Sequence, residues 1–400
     1  MIDLCKVVKA FSALCLLAVS FSTAMAQQIV KIGVLVPLTG AHAGEGAWLL
    51  KGHKQAEADI NAAGGLKGFG GAKVQLVIGD TQSKPEASRS EAERMIEREG
   101  VSILTGGFAS ATTIPALQVA NRNKVPFLVP VAVTDSITEQ GMKYVFRLNP
   151  KSSYYAEDVG GFLKYLKGKG QPIERIAIVY EDGPFGQSTA KSYKAMLTAG
   201  GFNVAAEESF RTGATDLSTQ VAKLKAANVD VVLTACYVTE SAVLLRGLTA
   251  QQYKPIVIGF GGGHVAPAML KVGEPAEGTF GVTEWMPDMK KPAAAAFTAA
   301  FTKSYGEAPQ NNTAQVYAAT WVAALAIEAA KSTDREAVRD ALAKLKISGG
   351  PASLMPDDVL EFDADGQNKI GNIMAQVIDG KFVTVWPDAY AAQSFKLPKK

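Results

Sequence analysis

Short, wholly apolar runs alternate along the chain with longer stretches of helical character. Between residues 101 and 134, an apolar run over Val101–Leu104 precedes two glycines, a helical stretch ending near Asn123, and a second apolar run over Val125–Val131. Runs without polar alternation indicate strands that are covered on both faces. Strands that alternate with helices indicate a parallel sheet. The segment therefore predicts strand, loop, helix, strand and loop.

This alternation runs through the chain twice. The first series of predicted strands comprises Val30–Val36, Val74–Ile78, Val101–Leu104 and Val125–Val131, and the second, after Tyr144–Leu148, comprises Arg175–Tyr180, Asn203–Glu207, Asp230–Ala235 and Pro255–Gly259. The predicted fold class is α/β, with two doubly wound parallel-sheet lobes and a cleft between them.

The last third of the chain changes character. Three Ala-rich helices are predicted at Ala293–Tyr305, Thr313–Lys331 and Arg335–Leu345, and we expect them to pack on the first lobe. Two β-rich runs around Asp379-Gly380 follow, and this dipeptide predicts a tight hairpin.

No low-complexity linker separates the two series, so we expect the chain to cross between the lobes in three short hinge segments. These are predicted at Arg147–Pro150, Thr279–Glu284 and Glu361–Gly366. The first lobe would comprise residues 27–149 and 283–362, and the second would comprise residues 150–282 and 363–400. Hinges of this kind hold two lobes together while letting them rock.

The amino terminus has the pattern of a secretory signal peptide. Lys6 and Lys9 precede an apolar segment over Ala10–Phe21, and Ala24-Met25-Ala26 fits a cleavage site. The apolar segment is short for a membrane span. We therefore predict cleavage after Ala26, a mature start at Gln27, and export to the periplasm.

Composition limits the function. A chain of 400 residues is long for one core, which favours two domains. A net charge of +3 with scattered Lys and Arg predicts no nucleic-acid partner. Cys236 is the only cysteine after the signal, so no internal disulfide is expected, and a small buried side chain is favoured over a nucleophile.

The hydroxyl cluster in the 101–134 segment is the candidate binding site. Because loops at the carboxyl ends of adjacent parallel strands meet at one edge, Ser110 and Thr134 should lie side by side. The first N–H groups of a helix lack internal partners and carry the positive end of the helix dipole, so this helix start suits a carboxylate. The alternative is that Ser110 and Thr112 only cap the helix.

Enzyme chemistry finds little support in the sequence. No H-E-x-x-H, Walker-type loop or G-x-S-x-G motif is present, and the glycine clusters do not fit a dinucleotide loop. The three histidines, His42, His53 and His264, show no metal-ligand spacing. We predict a non-enzyme without catalytic residues, metal or cofactor.

Several motifs together resemble one known family. KIGVLVPLTGAHAGEGAWLLKGHKQAEADINAAGGLKG, the GGFASATT loop, PVAVTDS and YEDGPFGQS, in this order, are similar to the leucine/isoleucine/valine-binding family of periplasmic solute-binding proteins. The resemblance covers essentially the whole mature chain. It implies a monomeric two-lobed protein that closes on a solute and delivers it to an ATP-driven (ABC) permease in the inner membrane.

The resemblance also implies ligand contacts. In the family pattern a hydroxyl of the first lobe and the hydroxyl and amide of a second residue hold the carboxylate, a backbone carbonyl holds an ammonium group, and aromatic side chains of the second lobe cover the solute. These positions fall on Ser110, Thr134, Ala132, Phe185 and Tyr237, with Glu45 where members often place an aromatic residue and Tyr155 as a further cleft residue. For Phe185 and Tyr237 the alternative is core packing.

One position departs from the family pattern. Amino-acid binders of the family pair the ammonium with a glutamate after the Pro255–Gly259 strand, and Gly261 stands there in this chain. Either Glu45 or Glu240 supplies the charge, or the ligand has no ammonium group. The departure favours an aromatic or short organic acid, with a branched-chain amino acid close behind. His264 could pair with a polar group of the ligand, but a surface histidine after a loop is the expected arrangement.

A different function class shares the same fold. A sensory receptor domain would bind its ligand in the same way and pass the signal to a partner. A membrane-bound sensor would need a transmembrane helix after the second lobe, and none is predicted from the sequence. A freestanding receptor that feeds a signalling partner stays open as the alternative to transport.

Overall fold

The computed structural model describes residues 29–397. The predicted signal peptide over residues 1–26 lies outside this range. Between residues 29 and 397, no helix has the length and apolar character needed to cross a membrane.

The first lobe is built on a five-stranded, wholly parallel sheet in the order β2-β1-β3-β4-β5. Its strands are β1 (Ile29–Val36), β2 (Lys73–Asp80), β3 (Ile103–Gly106), β4 (Phe127–Val129) and β5 (Val145–Arg147). The connecting helices are α1 (Ala43–Ala62), α2 (Pro85–Glu97), α3 (Ser110–Arg122) and α4 (Ser136–Glu139). Every residue of β3, β4 and β5 is buried, including the polar Thr105 and the charged Arg147, as expected for strands covered on both faces.

The second lobe repeats this strand order. Its seven-stranded sheet runs β14-β13-β10-β9-β8-β6-β7, so the five parallel strands follow the same 2-1-3-4-5 arrangement as the first sheet. The strands are β6 (Arg175–Glu181), β7 (Asn203–Phe210), β8 (Val231–Ala235), β9 (Ile256–Phe260) and β10 (Phe280–Thr283). The helices are α5 (Ser152–Gly168), α6 (Pro184–Ala199), α7 (Ser218–Ala226), α8 (Val238–Ala250), α9 (Gly261–His264) and α10 (Pro267–Leu270).

Two antiparallel strands, β13 (Ile373–Ile378) and β14 (Lys381–Trp386), complete the second sheet beside β10. Their connection is the predicted two-residue turn, in which Asp379 and Gly380 have φ angles of 51° and 71°. Positive φ at both central residues is typical of the type I′ turn that matches strand twist.

The late helices pack on the first lobe, as predicted. They are α11 (Pro292–Tyr305), α12 (Asn311–Ala330) and α13 (Arg335–Ala343), followed by a small sheet of β11 (Lys346–Ser348) and β12 (Val359–Glu361). Helix α12 lies so close to α1 that a Cβ added at Gly52 would meet the Thr313 carbonyl oxygen at 2.5 Å. His53 joins the same pair of helices through a 2.7 Å hydrogen bond to Thr320.

Some predicted boundaries are wrong, for local reasons. The strand predicted over Val125–Val131 is confined to Phe127–Val129, since Pro126 and Pro130 flank it and have no N–H to donate. The loop predicted after β9 is the short helix α9.

The chain crosses between the sheets three times. The first crossing lies between Arg147 and Ser152, and the third lies between Glu361 and Ile373. The second crossing was predicted at Thr279–Glu284, which is too early in the chain. Residues Phe280–Thr283 form β10 inside the second sheet, so that crossing begins at Glu284 and ends at Pro292.

Arg147 ties the first and third crossings together from a fully buried position. Its guanidinium donates to Gln367 Oε1 at 2.6 Å, to the Thr134 carbonyl oxygen at 2.7 Å and to Thr138 Oγ1 at 2.9 Å. Its backbone N–H also donates to the Gly366 carbonyl oxygen at 2.8 Å. Burial lowers the pKa of Arg147 to about 10, so the side chain keeps its charge at neutral pH.

Replacing this arginine should destabilise the whole protein. We expect Arg147→Met to lower the free energy of unfolding by about 2 to 4 kcal/mol, because three buried acceptors lose their donor. Urea unfolding followed by circular dichroism measures the change. Arg122→Met is the matched control, since that side chain is 60% exposed and should change stability by less than about 0.5 kcal/mol. Equal stability of the two variants would contradict the role given to Arg147.

Candidate functional site

A cavity of about 40 Å³ lies between the two lobes. Its lining comes from the loops after β3 and β4, the start of α12, and the segments that follow β6, β8, β9 and β10. All of these strand ends are carboxyl ends, where parallel sheets present their ligand crevices. The space suits about three water molecules.

Ser110 is the first residue of α3 and belongs to the cavity lining. The chain reaches it through a tight turn at Gly106, where φ is 107° and a Cβ would meet the Leu35 carbonyl oxygen at 2.2 Å. The Ser110 hydroxyl is buried and has no hydrogen-bond partner within the described part of the chain. A buried hydroxyl at a helix start is suited to an anionic ligand group.

The capping alternative does not describe this helix start. The cap position is Ala109, which has no side chain able to cap. The hydroxyls of Thr112 and Thr113 instead donate to the Ala109 carbonyl oxygen, at 3.0 and 2.8 Å. Ser110 is therefore left available for a ligand.

The loop after β4 contributes Ala132 and Val133 to the lining, but not Thr134. Thr134 lies in a neighbouring, larger groove, with its carbonyl oxygen held by Arg147. Its hydroxyl is buried and, among residues 29–397, has no partner. Ser110 and Thr134 thus carry similar unpaired hydroxyls but do not line the same cavity.

Aromatic side chains form the apolar wall. Phe185 and Tyr237 both line the cavity, with ring centroids 5.1 Å apart, and Phe185 also meets Phe260 at 5.2 Å. Phe185 is 6% exposed and packs in the core of the second lobe. The two interpretations of Phe185, core packing and ligand contact, are therefore compatible in this geometry.

Phe108 and His42 extend the aromatic wall across the cleft from the first lobe. Their ring centroids lie 5.9 Å and 4.5 Å from that of Tyr237. Burial lowers the pKa of His42 to about 4, so its ring is neutral at physiological pH. These contacts make Tyr237 a direct connection between the closed lobes.

Glu284 is the residue that the sequence analysis missed. It follows β10 at the start of the second crossing, is 1% exposed, and lines the cavity. Tyr155, itself predicted as a cleft residue, donates to Glu284 Oε2 at 2.6 Å. The other oxygen, Oε1, has no partner in the described chain, and burial raises the pKa of this carboxyl to about 7. The available signal was an acidic residue directly after a short, fully buried strand.

A second missed group stands at the start of α12, where Asn311, Asn312 and Gln315 line the cavity. The Asn311 amide nitrogen donates to Thr283 Oγ1 at 3.1 Å and to Asn312 Oδ1 at 3.3 Å. The side-chain oxygens of Asn311 and Gln315 are buried without partners among the described residues. The signal was the polar run NNTAQ at the head of an otherwise Ala-rich helix.

Two other predicted positions, Glu45 and Gly261, do not line the cavity. Glu45 lies in the first turn of α1, where burial, with a contribution from nearby Glu240, raises its pKa. Gly261 starts α9, and a Cβ there would meet the Val282 carbonyl oxygen at 2.8 Å. Glu240, the other residue considered for the missing charge, is also outside the lining and accepts from the Gly213 N–H at 2.6 Å.

His264 and Cys236 are both buried and do not line the cavity. The expectation that His264 lies on the surface is wrong, because it is 2% exposed and hydrogen-bonds Thr279 Oγ1 at 2.9 Å. Cys236 is fully buried, and burial raises the pKa of its thiol well above the usual value. Within residues 29–397, no cluster of His, Cys, Asp and Glu has a metal-binding arrangement.

Two α/β lobes joined by three crossings, with a small cavity at facing strand ends, define the class of two-lobed proteins with a ligand crevice between the lobes. A model of the periplasmic binding protein family matches residues 29–381. The chain belongs to this family.

Individual relatives agree with the family assignment. The chain is 32% identical over 404 residues to Leu/Ile/Val-binding protein homolog 7 of Brucella abortus (strain 2308), covering 97% of this chain and 98% of the relative. The leucine binding protein LivK of Thermotoga maritima superposes with a TM-score of 0.80 at 25% identity, covering 90% and 98% of the two chains. A solute binding protein of R. palustris, solved with benzoate, has a TM-score of 0.77 at 18% identity, covering 93% and 98%.

These comparisons confirm the family and the fold class inferred from the sequence. The relatives are binding proteins by name, and a solute-binding role follows for this chain. The likeness to the R. palustris protein supports the fold alone.

The buried carboxyl of Glu284 predicts a specific pH dependence of stability. Its folded pKa of about 7 exceeds the ordinary value of 4.5, so the stability contributed by its protonated form is complete below about pH 4.5 and is lost as the pH rises through 7. The Glu284→Gln variant lacks this loss. Its unfolding free energy, relative to wild type, should be higher at pH 8 than at pH 4.5 by roughly 3 kcal/mol.

Urea unfolding of ligand-free protein at the two pH values measures this difference. Glu97→Gln, which changes an exposed side chain of α2 in the same way, is the control and should show no such difference. A Glu284→Gln effect that is the same at both pH values would show that the carboxyl does not titrate in this range.

Proposed function

We propose that this protein is the solute-binding component of an ABC importer, which closes its two lobes around a small carboxylate-bearing solute. The solute class is an aromatic or other organic acid, or a branched-chain amino acid. The protein would act as a monomer in the periplasm and deliver the solute to an inner-membrane permease. No catalytic step is part of this role.

The observation that carries the proposal is the unpaired Ser110 hydroxyl at the start of α3, inside a cavity between the lobes. A carboxylate there would accept a hydrogen bond from the hydroxyl and would lie at the positive end of the helix. Thr134, with the second unpaired hydroxyl, is proposed to join this contact when a solute fills the cleft.

Closure is proposed to follow binding at the first lobe. The second lobe would bring Phe185 and Tyr237 over the solute and exclude water, which strengthens the polar contacts. The solute stabilises the closed state only through its higher affinity for that state. A permease that reads the closed arrangement would therefore respond to loaded protein. The division between the lobes is proposed to run through the three crossings, at residues 147–152, 284–292 and 361–373.

Names of relatives support the solute class. The Brucella proteins are named for leucine, isoleucine and valine, and the R. palustris protein was solved with benzoate. Both kinds of compound are small carboxylates with an apolar body. This combination fits a cavity with a hydroxyl at one side and aromatic rings at another.

A thermal-shift screen of the purified mature protein tests the proposal. The panel should hold amino acids, aromatic acids, dicarboxylates and the corresponding neutral amides. We expect one or more carboxylates to raise the unfolding midpoint in proportion to their affinity, and the neutral amides to have no effect. A panel in which no carboxylate raises the midpoint would contradict the proposed function.

Removing the two hydroxyls should weaken solute binding. We expect Ser110→Ala combined with Thr134→Ala to reduce the binding free energy of the best carboxylate by roughly 2 to 5 kcal/mol, because charge-assisted hydrogen bonds are lost. Isothermal titration calorimetry measures the change. Thr112→Ala is the matched control, since its hydroxyl is already bonded to Ala109 and should leave the affinity unchanged. An unchanged dissociation constant in the double variant would exclude these hydroxyls as the carboxylate site.

A further inference from the structure

A hydrogen bond joins the two lobes at a place outside the cavity. The backbone N–H of Asp135, in the first-lobe loop after β4, donates to Ser188 Oγ on α6 of the second lobe at 3.1 Å. Neither residue lines the cavity, and both line the neighbouring, larger groove. This bond can therefore act on a solute in the cavity only through the positions of the lobes.

The donor of this bond is oriented from the first crossing. The Asp135 N–H belongs to the same peptide group as the Thr134 carbonyl, whose oxygen accepts from the Arg147 guanidinium at 2.7 Å. Because a peptide group is planar, a bond to its carbonyl oxygen also restricts the direction of its N–H. A charged donor on the carbonyl oxygen polarises the peptide group and strengthens the bond that the N–H makes. Arg147 thus orients the donor of the bond between the lobes.

Other hydrogen bonds of the same loop are local to the hinge. The Asp135 carboxylate accepts from the Ser153 N–H at 3.1 Å, and the Val133 carbonyl oxygen accepts from the Ser152 N–H at 2.9 Å. Ser152 and Ser153 lie at the end of the first crossing. Ser188 is different, because it lies 53 positions beyond Asp135 and on another helix. Its bond to Asp135 therefore requires α6 to lie against the first lobe.

Helix α6 also carries one of the aromatic residues of the cavity. Phe185 lies in the first turn of α6 and lines the cavity. Ser188 follows it by three positions, which is about one helical turn. Because so little helix separates the two residues, a bond that holds Ser188 to the first lobe also holds Phe185 at the cavity.

We infer that Ser188 is a positioning residue for solute binding, whose hydrogen bond to Asp135 holds α6 against the first lobe and slows the release of the solute without touching it. This inference rests on the proposed function, because it takes solute exchange to require separation of the lobes. A bond that is made in the solute-loaded arrangement and lost on separation slows dissociation and leaves association unchanged.

Dissociation kinetics of serine variants test the inference. The probe is the tightest binder among L-leucine, benzoate and succinate or, if none of these binds, the panel carboxylate with the largest midpoint shift. We expect Ser188→Ala to release the probe about 3- to 10-fold faster than wild type and to raise Kd by the same factor. The association rate constant should change by less than about 2-fold. Stopped-flow fluorescence measures both rate constants.

Two further variants separate the hydroxyl from other effects. Ser192→Ala is the matched control, because Ser192 is half-buried like Ser188 but donates to the Ser188 carbonyl oxygen within α6. It should release the probe at the wild-type rate. Ser188→Thr keeps the hydroxyl and should stay within about 2-fold of the wild-type rate. Ligand-free unfolding midpoints should agree among all four proteins, which would not hold if Ser188 only stabilised its helix.

Three results would contradict the inference. Release from Ser188→Ala at the rate of Ser192→Ala would overturn it while the proposed function stands. Equally fast release from Ser188→Thr and Ser188→Ala would also overturn it, since the hydroxyl would not be the cause. If no carboxylate of the panel binds wild-type protein, both the inference and the proposed function fail.

Discussion

Polar groups that are buried between the lobes without partners are the constraint on which the site depends. The hydroxyl of Ser110 and the oxygens of Glu284, Asn311 and Gln315 face a cavity too small to hold much water. A buried polar atom without a hydrogen bond costs free energy, so the closed arrangement is incomplete until a solute satisfies these atoms. A ligand that supplied hydrogen bonds to these atoms would therefore favour the arrangement in which they are buried.

The two lobes repeat one strand arrangement, and this repetition brings these polar groups to the cavity. Each lobe uses the strand order 2-1-3-4-5, which gathers several loops at the carboxyl edge of its sheet. Two such edges facing each other surround the cavity with helix starts and strand ends. Arg147 holds two of the crossings beside each other through its hydrogen bonds to Gln367 and Gly366. The buried polar atoms of the cavity residues have no partners within the described chain, and a bound solute would supply them.

The hydrophobic pattern was sufficient for the fold class because short apolar runs that alternate with helices indicate parallel strands. The same pattern identified fewer of the residues that line the cavity. Ser110, Phe185 and Tyr237 could be placed from strand ends and family motifs, and each lines the cavity. Glu284 could not, because its role depends on the pairing of β10 with β9 and on Tyr155, which is 129 positions away in the chain. The glycine at residue 261 could be recognised in the sequence as a departure from the family pattern. That Glu284, at the end of the neighbouring strand β10, lines the cavity can be seen only in the three-dimensional structure.

A crystal structure of the mature protein with a bound solute tests the central claim most directly. The account predicts a solute enclosed between the lobes, with its carboxylate within hydrogen-bond distance of Ser110 Oγ. A solute bound in the larger groove beside Lys164 and Lys191, or one in the cavity whose carboxylate does not contact Ser110 Oγ, would contradict it.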